Sequence, residues 1–258
     1  YKTALKIAQD QGLAEPDPTN DVEGHDVAYK LAILASLAFK KGWVNPNDIH
    51  REGISKITSQ DFKNADDMGY VIKLIGTAND TEKGINAWVA PTLLPKHHLL
   101  ANINGALNGI LLQGDPIGDV QIAGEGAGGK PTAASVWSDV LKAAEYIKTG
   151  TFPKTNIKLA QAEVLPFSKS ENSNYVGMTI TDGYGRVQKI GEICRNNSVS
   201  INQILQIKGR KWMEGRINMA EMAIDMDPSA EGNITRALVE LSATDFCQKI
   251  GSRFRMLG

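Results

Sequence analysis

The stretch Ala14-Glu15-Pro16-Asp17-Pro18-Thr19-Asn20-Asp21-Val22-Glu23-Gly24-His25-Asp26-Val27-Ala28-Tyr29-Lys30 runs straight into Leu31-Ala32-Ile33-Leu34-Ala35-Ser36-Leu37-Ala38-Phe39. Its first half is acidic and carries two prolines, hence a loop; its second half is apolar on every side. From Gly24 to Lys41 the pattern predicts one helix, stopped at Gly42. A helix that is apolar all round is expected to be buried. Asp26 and Lys30 stand four residues apart, so they share one face of that helix, on the stripe that continues through Ile33 and Leu37. A lysine where a buried helix emerges is expected to be partly desolvated and close to the positive end of the helix dipole. Both effects disfavour the ammonium and bring the side chain toward proton donation near neutral pH. An ordinary surface ion pair is the other reading of the same spacing.

Outward from this helix, the chain alternates helix and strand. Residues 1–12 predict a helix ending at Gly12. Tyr1, Leu5 and Ala8 already keep helical spacing, so the chain is expected to begin inside an element and to be a fragment. Strands are predicted at 53–58, 70–77, 85–94, 103–113 and 117–124, with a helix near 60–68. A glycine-rich loop, Gly124 to Gly129, leads into a helix over about residues 131–149. Gly150, Pro153, Pro166 and the polar run Ser168-Lys169-Ser170-Glu171-Asn172-Ser173-Asn174 mark a linker. Beyond it the order is strand (175–181), helix (184–196), strand (199–208), strand (213–225), helix (229–242), strand (245–255). That βαββαβ order is the ferredoxin-like pattern. The expected fold class is therefore α/β: a mixed sheet with helices packed on it over residues 1–150, a linker over 151–174, and a ferredoxin-like module over 175–258.

Composition narrows the function. A chain of 258 residues is long enough for two ordinary domains. The formal net charge of −1 gives no reason to expect nucleic acid or an anionic membrane as partner. The longest apolar run, Leu31 to Phe39, is far short of the roughly 20 residues that span a bilayer. No apolar signal region opens the chain. Cys194 and Cys247 are too few and too far apart for a disulfide framework or a zinc site, and read as reduced, packed thiols of a cytoplasmic protein. His25, His50, His97 and His98 have no helical metal spacing and no convincing carboxylate partner, so each is read as a loop residue and no metal is expected.

Gly124-Glu125-Gly126-Ala127-Gly128-Gly129 formally satisfies G-x-G-x-x-G between a strand and a helix. A dinucleotide-binding fingerprint should open a complete βαβ unit with an acid about 20 residues on. Here the helix runs into the linker, so a stand-alone dinucleotide domain is not expected. Pro131 stands where a phosphate-binding loop would need Ser or Thr. What remains is a loop whose bare backbone can approach a ligand closely, or simply a tight turn with Pro131 in the first turn of the helix.

Gly12-Leu13-Ala14-Glu15-Pro16-Asp17-Pro18-Thr19, followed by Asp21 through Leu31, resembles the signature of the homoserine dehydrogenase family. The resemblance continues through Glu52-Gly53-Ile54, Ile72-Lys73-Leu74 and the run Gly124 to Ser135. It implies that Glu15 and Asp26 hold the amino acid end of the substrate and that Lys30 is the general acid/base at the reacting oxygen. It also implies that Gly12 and Gly128 approach a nicotinamide cofactor, NADP or NAD, and that hydride moves between that ring and the aldehyde carbon of aspartate semialdehyde, giving homoserine. An upstream nucleotide-binding domain of roughly 150 residues is expected to hold most of the dinucleotide, so the chain alone is expected to be inactive.

The C-terminal module resembles an ACT domain. Tyr175 to Ile193, with the turn Asp182-Gly183-Tyr184-Gly185, parallels the first strand, turn and helix of that family; Ser198 to Gln206 parallels its second strand. Tyr184 stands where a proline often precedes the glycine. The resemblance implies binding of a small amino acid, threonine first, near that turn. Because a βαββαβ sheet covers one face with its two helices and leaves the other in need of cover, at least a homodimer is expected. A function of another class is also open: a non-catalytic, amino-acid-sensing subunit, which would need none of Glu15, Asp26 and Lys30.

Overall fold

The computed structural model describes residues 1–126, 128–152, 160–214 and 217–257. Helices α1 (Lys2–Asp10), α2 (Thr19–Val22) and α3 (His25–Phe39) come first, then strand β1 (His50–Arg51) and helix α4 (Ser59–Asp67). Two hairpins follow, β2 (Tyr70–Thr81) with β3 (Gly84–Pro95), and β4 (Leu107–Gly114) with β5 (Gly118–Glu125), before α5 (Gly129–Thr149). The second half comprises β6 (Glu171–Thr181), α6 (Arg186–Asn196), β7 (Ile201–Glu214), β8 (Ile217–Ala230), α7 (Glu231–Ser242) and β9 (Cys247–Met256). Its strands lie in the order β9-β6-β8-β7, each antiparallel to its neighbour, as in a ferredoxin-like sheet.

The halves share one sheet. β3 pairs in parallel with β9, Thr92 opposite Arg255 and Leu93 opposite Met256, and this joins β1, β2 and β3 to the second half as a seven-stranded mixed sheet. Helices α6 and α7 cover one face of the ferredoxin-like strands through Ile190, Ile193, Ile234 and Leu241. Such fully buried aliphatic side chains contribute about 1.5–3 kcal/mol each. Part of the opposite face is covered from within the chain, where Ala65 of α4 and Leu93 of the neighbouring β3 pack with Tyr175, Ala223 and Phe254.

Helix α3 departs from expectation. Ala28, Ala32 and Ala35 are buried against Ile85, Ala87 and Val89 of β3, while Ile33 is 61% and Leu37 70% exposed. A sheet lies on one side of the helix only, and the small residues face it because they allow the closest approach. At Gly76 of β2 a Cβ would stand 2.9 Å from Val27 Cγ1 and 3.3 Å from Leu31 Cδ2, so a side chain there would have to push those α3 side chains aside.

Three other expectations change. Residues 53–58 form a turn, because Ile54 N–H donates to the Val22 carbonyl (2.8 Å) and Thr58 already caps α4 through a reciprocal pair of bonds with Asp61. The stretch read as a linker is divided between the halves where it is described: Gln161 bridges Trp43, Val164 bridges Ile85 and Ala162 is buried, all with the first half, while the residues from Glu171 on already belong to β6 of the second. Pro153 lies outside the described residues. Helix α5 has no buried residue and leaves Val136, Trp137, Val140, Leu141 and Ile147 exposed along one length, whereas a helix packed on the sheet was expected.

Cys194 is buried, and burial pushes its thiol up to about 11; Cys247 is half-buried, and burial raises it as well. Among the described residues no helix is long and apolar enough to cross a membrane.

The alanine stripe of α3 sets a test. Ala32→Leu should lower stability by about 1–3 kcal/mol through overpacking, whereas Ile33→Lys on the open stripe should stay within about 0.5 kcal/mol of the parent. Urea unfolding of both variants measures the difference.

Candidate functional site

The approach to α3 is built from local hydrogen bonds. Gly12 takes a left-handed conformation (φ +69°) that ends α1, and its N–H donates to the Gln9 carbonyl. Gln9 Nε2 donates to the carbonyls of Glu15 (3.0 Å) and Pro16 (3.2 Å), which folds the connector back on α1 and leaves the Glu15 side chain exposed. Asp17 accepts from the Thr19 hydroxyl (2.6 Å) and backbone N–H (3.2 Å) at the start of α2; these bonds, the hydroxyl first, hold its carboxyl below the ordinary value. Gly24, at φ +76°, then turns the chain into α3.

Asp26 lies in the first turn of α3 and Lys30 one turn later, with Lys30 Nζ 2.7 Å from Asp26 Oδ2. The two side chains are 53% and 46% exposed, Lys30 the more open. The desolvation of Lys30 expected from an all-apolar helix is therefore not supplied by this chain's own atoms, because the stripe that carries the pair faces outward. The pair occupies an open surface that a ligand can reach.

Gly128 opens α5 with φ +113°, and a Cβ there would meet only Pro131 Cδ at 3.7 Å. Its backbone is thus bare enough for close approach by a ligand, as is that of Gly12, where a Cβ would meet nothing within 4 Å. Gly126 N–H donates to the Ala106 carbonyl (3.4 Å) and ties the glycine loop to the foot of the β4–β5 hairpin. Lys73 anchors the segment just before that foot, donating to the Ile103 carbonyl (2.6 Å) and Asn104 Oδ1 (2.7 Å), and burial lowers its ammonium from the ordinary value. Among the described residues, the hydrogen bonds and ion pairs join only Asp26 and Lys30 of the five residues singled out from the sequence.

A second constellation was not anticipated. Glu231, the first residue of α7, is buried beneath Arg253 and Arg255, which stand two apart on β9 and so share one face of the strand. Arg255 Nη2 donates to Glu231 Oε2 (2.9 Å) and Arg253 also bonds it; Asn172 and Asn174 supply further donors. Arg255 reaches back across the chain to Glu52, which also lies 3.0 Å from His50 Nε2. Burial alone would raise the Glu52 carboxyl, but hydrogen bonds and charge from His50 and Arg255 outweigh it and hold it near 2. The His50 ring stacks on Phe167 (3.8 Å between centroids), and the Arg255 guanidinium lies over the other partner of that stack at 5.0 Å from the Phe167 centroid. His50 thus has a carboxylate partner after all. The signal was the i, i+2 spacing of His50 and Glu52, which puts both on one face of an extended segment.

Residues 1–141 match the model of the family described as homoserine dehydrogenase. A homoserine dehydrogenase of Lactococcus lactis is 40% identical over 210 residues, covering 81% of this chain and 49% of that protein. One of Neisseria gonorrhoeae is 34% identical over 99% of this chain and 59% of its own length. The crystal structure of a homoserine dehydrogenase from Thiobacillus denitrificans superposes with a TM-score of 0.87 at 31% identity, covering 99% of this chain and 58% of that one. The chain thus spans between about half and three-fifths of the length of the relatives it matches.

The Glu52 carboxyl predicts a pH window. Its ordinary value of 4.5 falls to about 2 in the fold, so the stabilisation it brings is whole above pH 4.5 and is lost as the pH falls toward 2. Glu52→Gln should therefore be less stable than the parent near neutral pH, and the gap should shrink below pH about 4. Urea midpoints at both pH values read it directly.

Proposed function

This chain belongs to the homoserine dehydrogenase family, and from that premise we propose that it carries the substrate and proton-transfer machinery of an enzyme interconverting L-homoserine and L-aspartate 4-semialdehyde, in threonine, methionine and isoleucine biosynthesis. The observation that carries the reading is the Asp26–Lys30 pair, held at 2.7 Å on the outward stripe at the start of α3, inside the family match. The names of the relatives disfavour a purely sensing subunit.

Glu15 and Asp26 bind the substrate ammonium, each supplying a carboxylate to a cation. Lys30 stands one helical turn from Asp26, and protonates the alkoxide as it forms, or takes the hydroxyl proton in the reverse direction. A nicotinamide dinucleotide, NADP or NAD, supplies or accepts the hydride when bound. Gly12 and Gly128 offer it bare backbone, a fit that rests on their positive φ and on the open space where a Cβ would stand. Most of the dinucleotide is held by polypeptide outside these 258 residues. The apolar stripe of α5 supports this, since Val136, Trp137, Val140, Leu141 and Ile147 are a poor surface to leave in water. That added part would also exclude water from Lys30, which this chain leaves half-open. The site of action is the cytoplasm.

The second half is an amino-acid-binding ACT module in a homodimer or larger assembly. Its turn Asp182-Gly183-Tyr184-Gly185 fully exposes Tyr184 and leads, through Gly185 at φ +77°, into the first turn of α6. Backbone amides there suit a ligand carboxylate. Since α4 and β3 cover only part of the open sheet face, the dimer keeps some of its geometric support and otherwise rests on the family.

In the complete enzyme, Lys30→Ala should lower kcat by roughly 10²–10⁴-fold with a smaller change in KM, because the proton is needed mainly in the transition state. Asp26→Asn should instead chiefly raise KM for homoserine. Unchanged kcat in the first variant would leave the pair a surface ion pair. Titration calorimetry with threonine should give a heat of binding, and sedimentation should give a dimer or larger species. A monomer without heat refutes the regulatory half.

A further inference from the structure

Glu52 and Arg255 are separated by 203 positions in the chain, yet they are ion-paired, and Glu52 belongs to the loop on which the α2–α3 corner rests. The loop is stitched to that corner at several points. Ile54 N–H donates to the Val22 carbonyl (2.8 Å), and the Ser55 hydroxyl donates to Glu23 Oε1 (3.2 Å). At Gly53 a Cβ would stand 2.6 Å from the Val22 oxygen, so the loop lies against the corner with no room for a side chain. Behind the loop, Glu52 N–H donates to the Val89 carbonyl of β3 (2.8 Å). In front of it come Gly24, which caps α3, and then Asp26 and Lys30.

We propose that Glu52 is a positioning residue: clamped by Arg255 and His50, it fixes the 52–55 loop and through it the corner that aims Asp26 and Lys30 at the substrate. The C-terminal strand thereby takes part in the substrate site without touching it. The clamp is stiff for a physical reason. Arg255 and Glu231 are each about 2% exposed, and two acids, Glu52 and Glu231, balance two arginines, Arg253 and Arg255. A buried ion cluster holds its geometry only when every member is paired, so removing one charge leaves another uncompensated. The inference rests on the reading of Asp26 and Lys30 as substrate groups, but the mechanical link can be measured apart from it.

Glu52→Gln is the variant of choice, since it keeps the shape of the side chain and leaves Arg255 its pairing with Glu231. Hydrogen exchange on the 258-residue chain should show amides of residues 22–28 exchanging faster by on the order of 10-fold, with α6 unchanged. In the complete enzyme, kcat/KM for homoserine should fall by on the order of 10-fold, and Glu52→Asp should recover part of the loss. Wild-type exchange at 22–28 together with wild-type homoserine kinetics, whatever happens to the melting temperature, overturns the proposal. If the parent enzyme turns over no homoserine, the activity reading fails, and the exchange profile still decides whether Glu52 holds the corner. Should Glu52→Gln fold poorly, His50→Gln, which removes the other partner of Glu52 and leaves Arg255 paired with Glu231, gives the same comparison with a smaller expected effect.

Discussion

Arg255 pairs with Glu231 at its own end of the sheet and with Glu52 from the other half of the chain, and much else depends on that double attachment. The parallel contact between β3 and β9 is only two residue pairs long, too short to dock one half on the other firmly. The ion cluster, with the packing of α4 and β3 on the ferredoxin-like sheet, supplies the remainder. Burying the Arg255–Glu231 pair is costly unless both are paired and hydrogen-bonded; Asn172 and Asn174 complete the shell around Glu231, and the partly exposed Glu52 takes the remaining side of Arg255.

The candidate site stands on the other side of that frame. The alanine face of α3 lies on β2 and β3, so the opposite face, with Asp26 and Lys30, is directed away from the core. One helix thus serves two ends: small residues fix its depth in the fold, and charged ones are left accessible. The same division appears in α5, whose start offers bare glycine backbone and whose length offers an apolar stripe. Both surfaces are left open on the described chain, within reach of a ligand or of another polypeptide.

Sequence alone determined a good deal. Period and punctuation located α1, α3, α4 and the β2–β3 hairpin, and Gly12 and Gly24 act through local backbone geometry as read; the stop of α3 comes earlier than Gly42, at Phe39, where Lys40 takes the left-handed turn. The βαββαβ order also needed no tertiary information, since each element carries its own period. Asp26 and Lys30 were legible because i, i+4 spacing fixes their proximity on any helix. What only the tertiary structure decided is which face of a helix meets the sheet, and which distant charges meet each other. Hydrophobicity could not say that the alanines of α3, not Ile33 and Leu37, go inward, because the closeness of a packing partner selects for size as well as polarity. Nor could spacing along the chain reveal that Glu52 pairs with Arg255, since that contact exists only once β3 and β9 lie side by side.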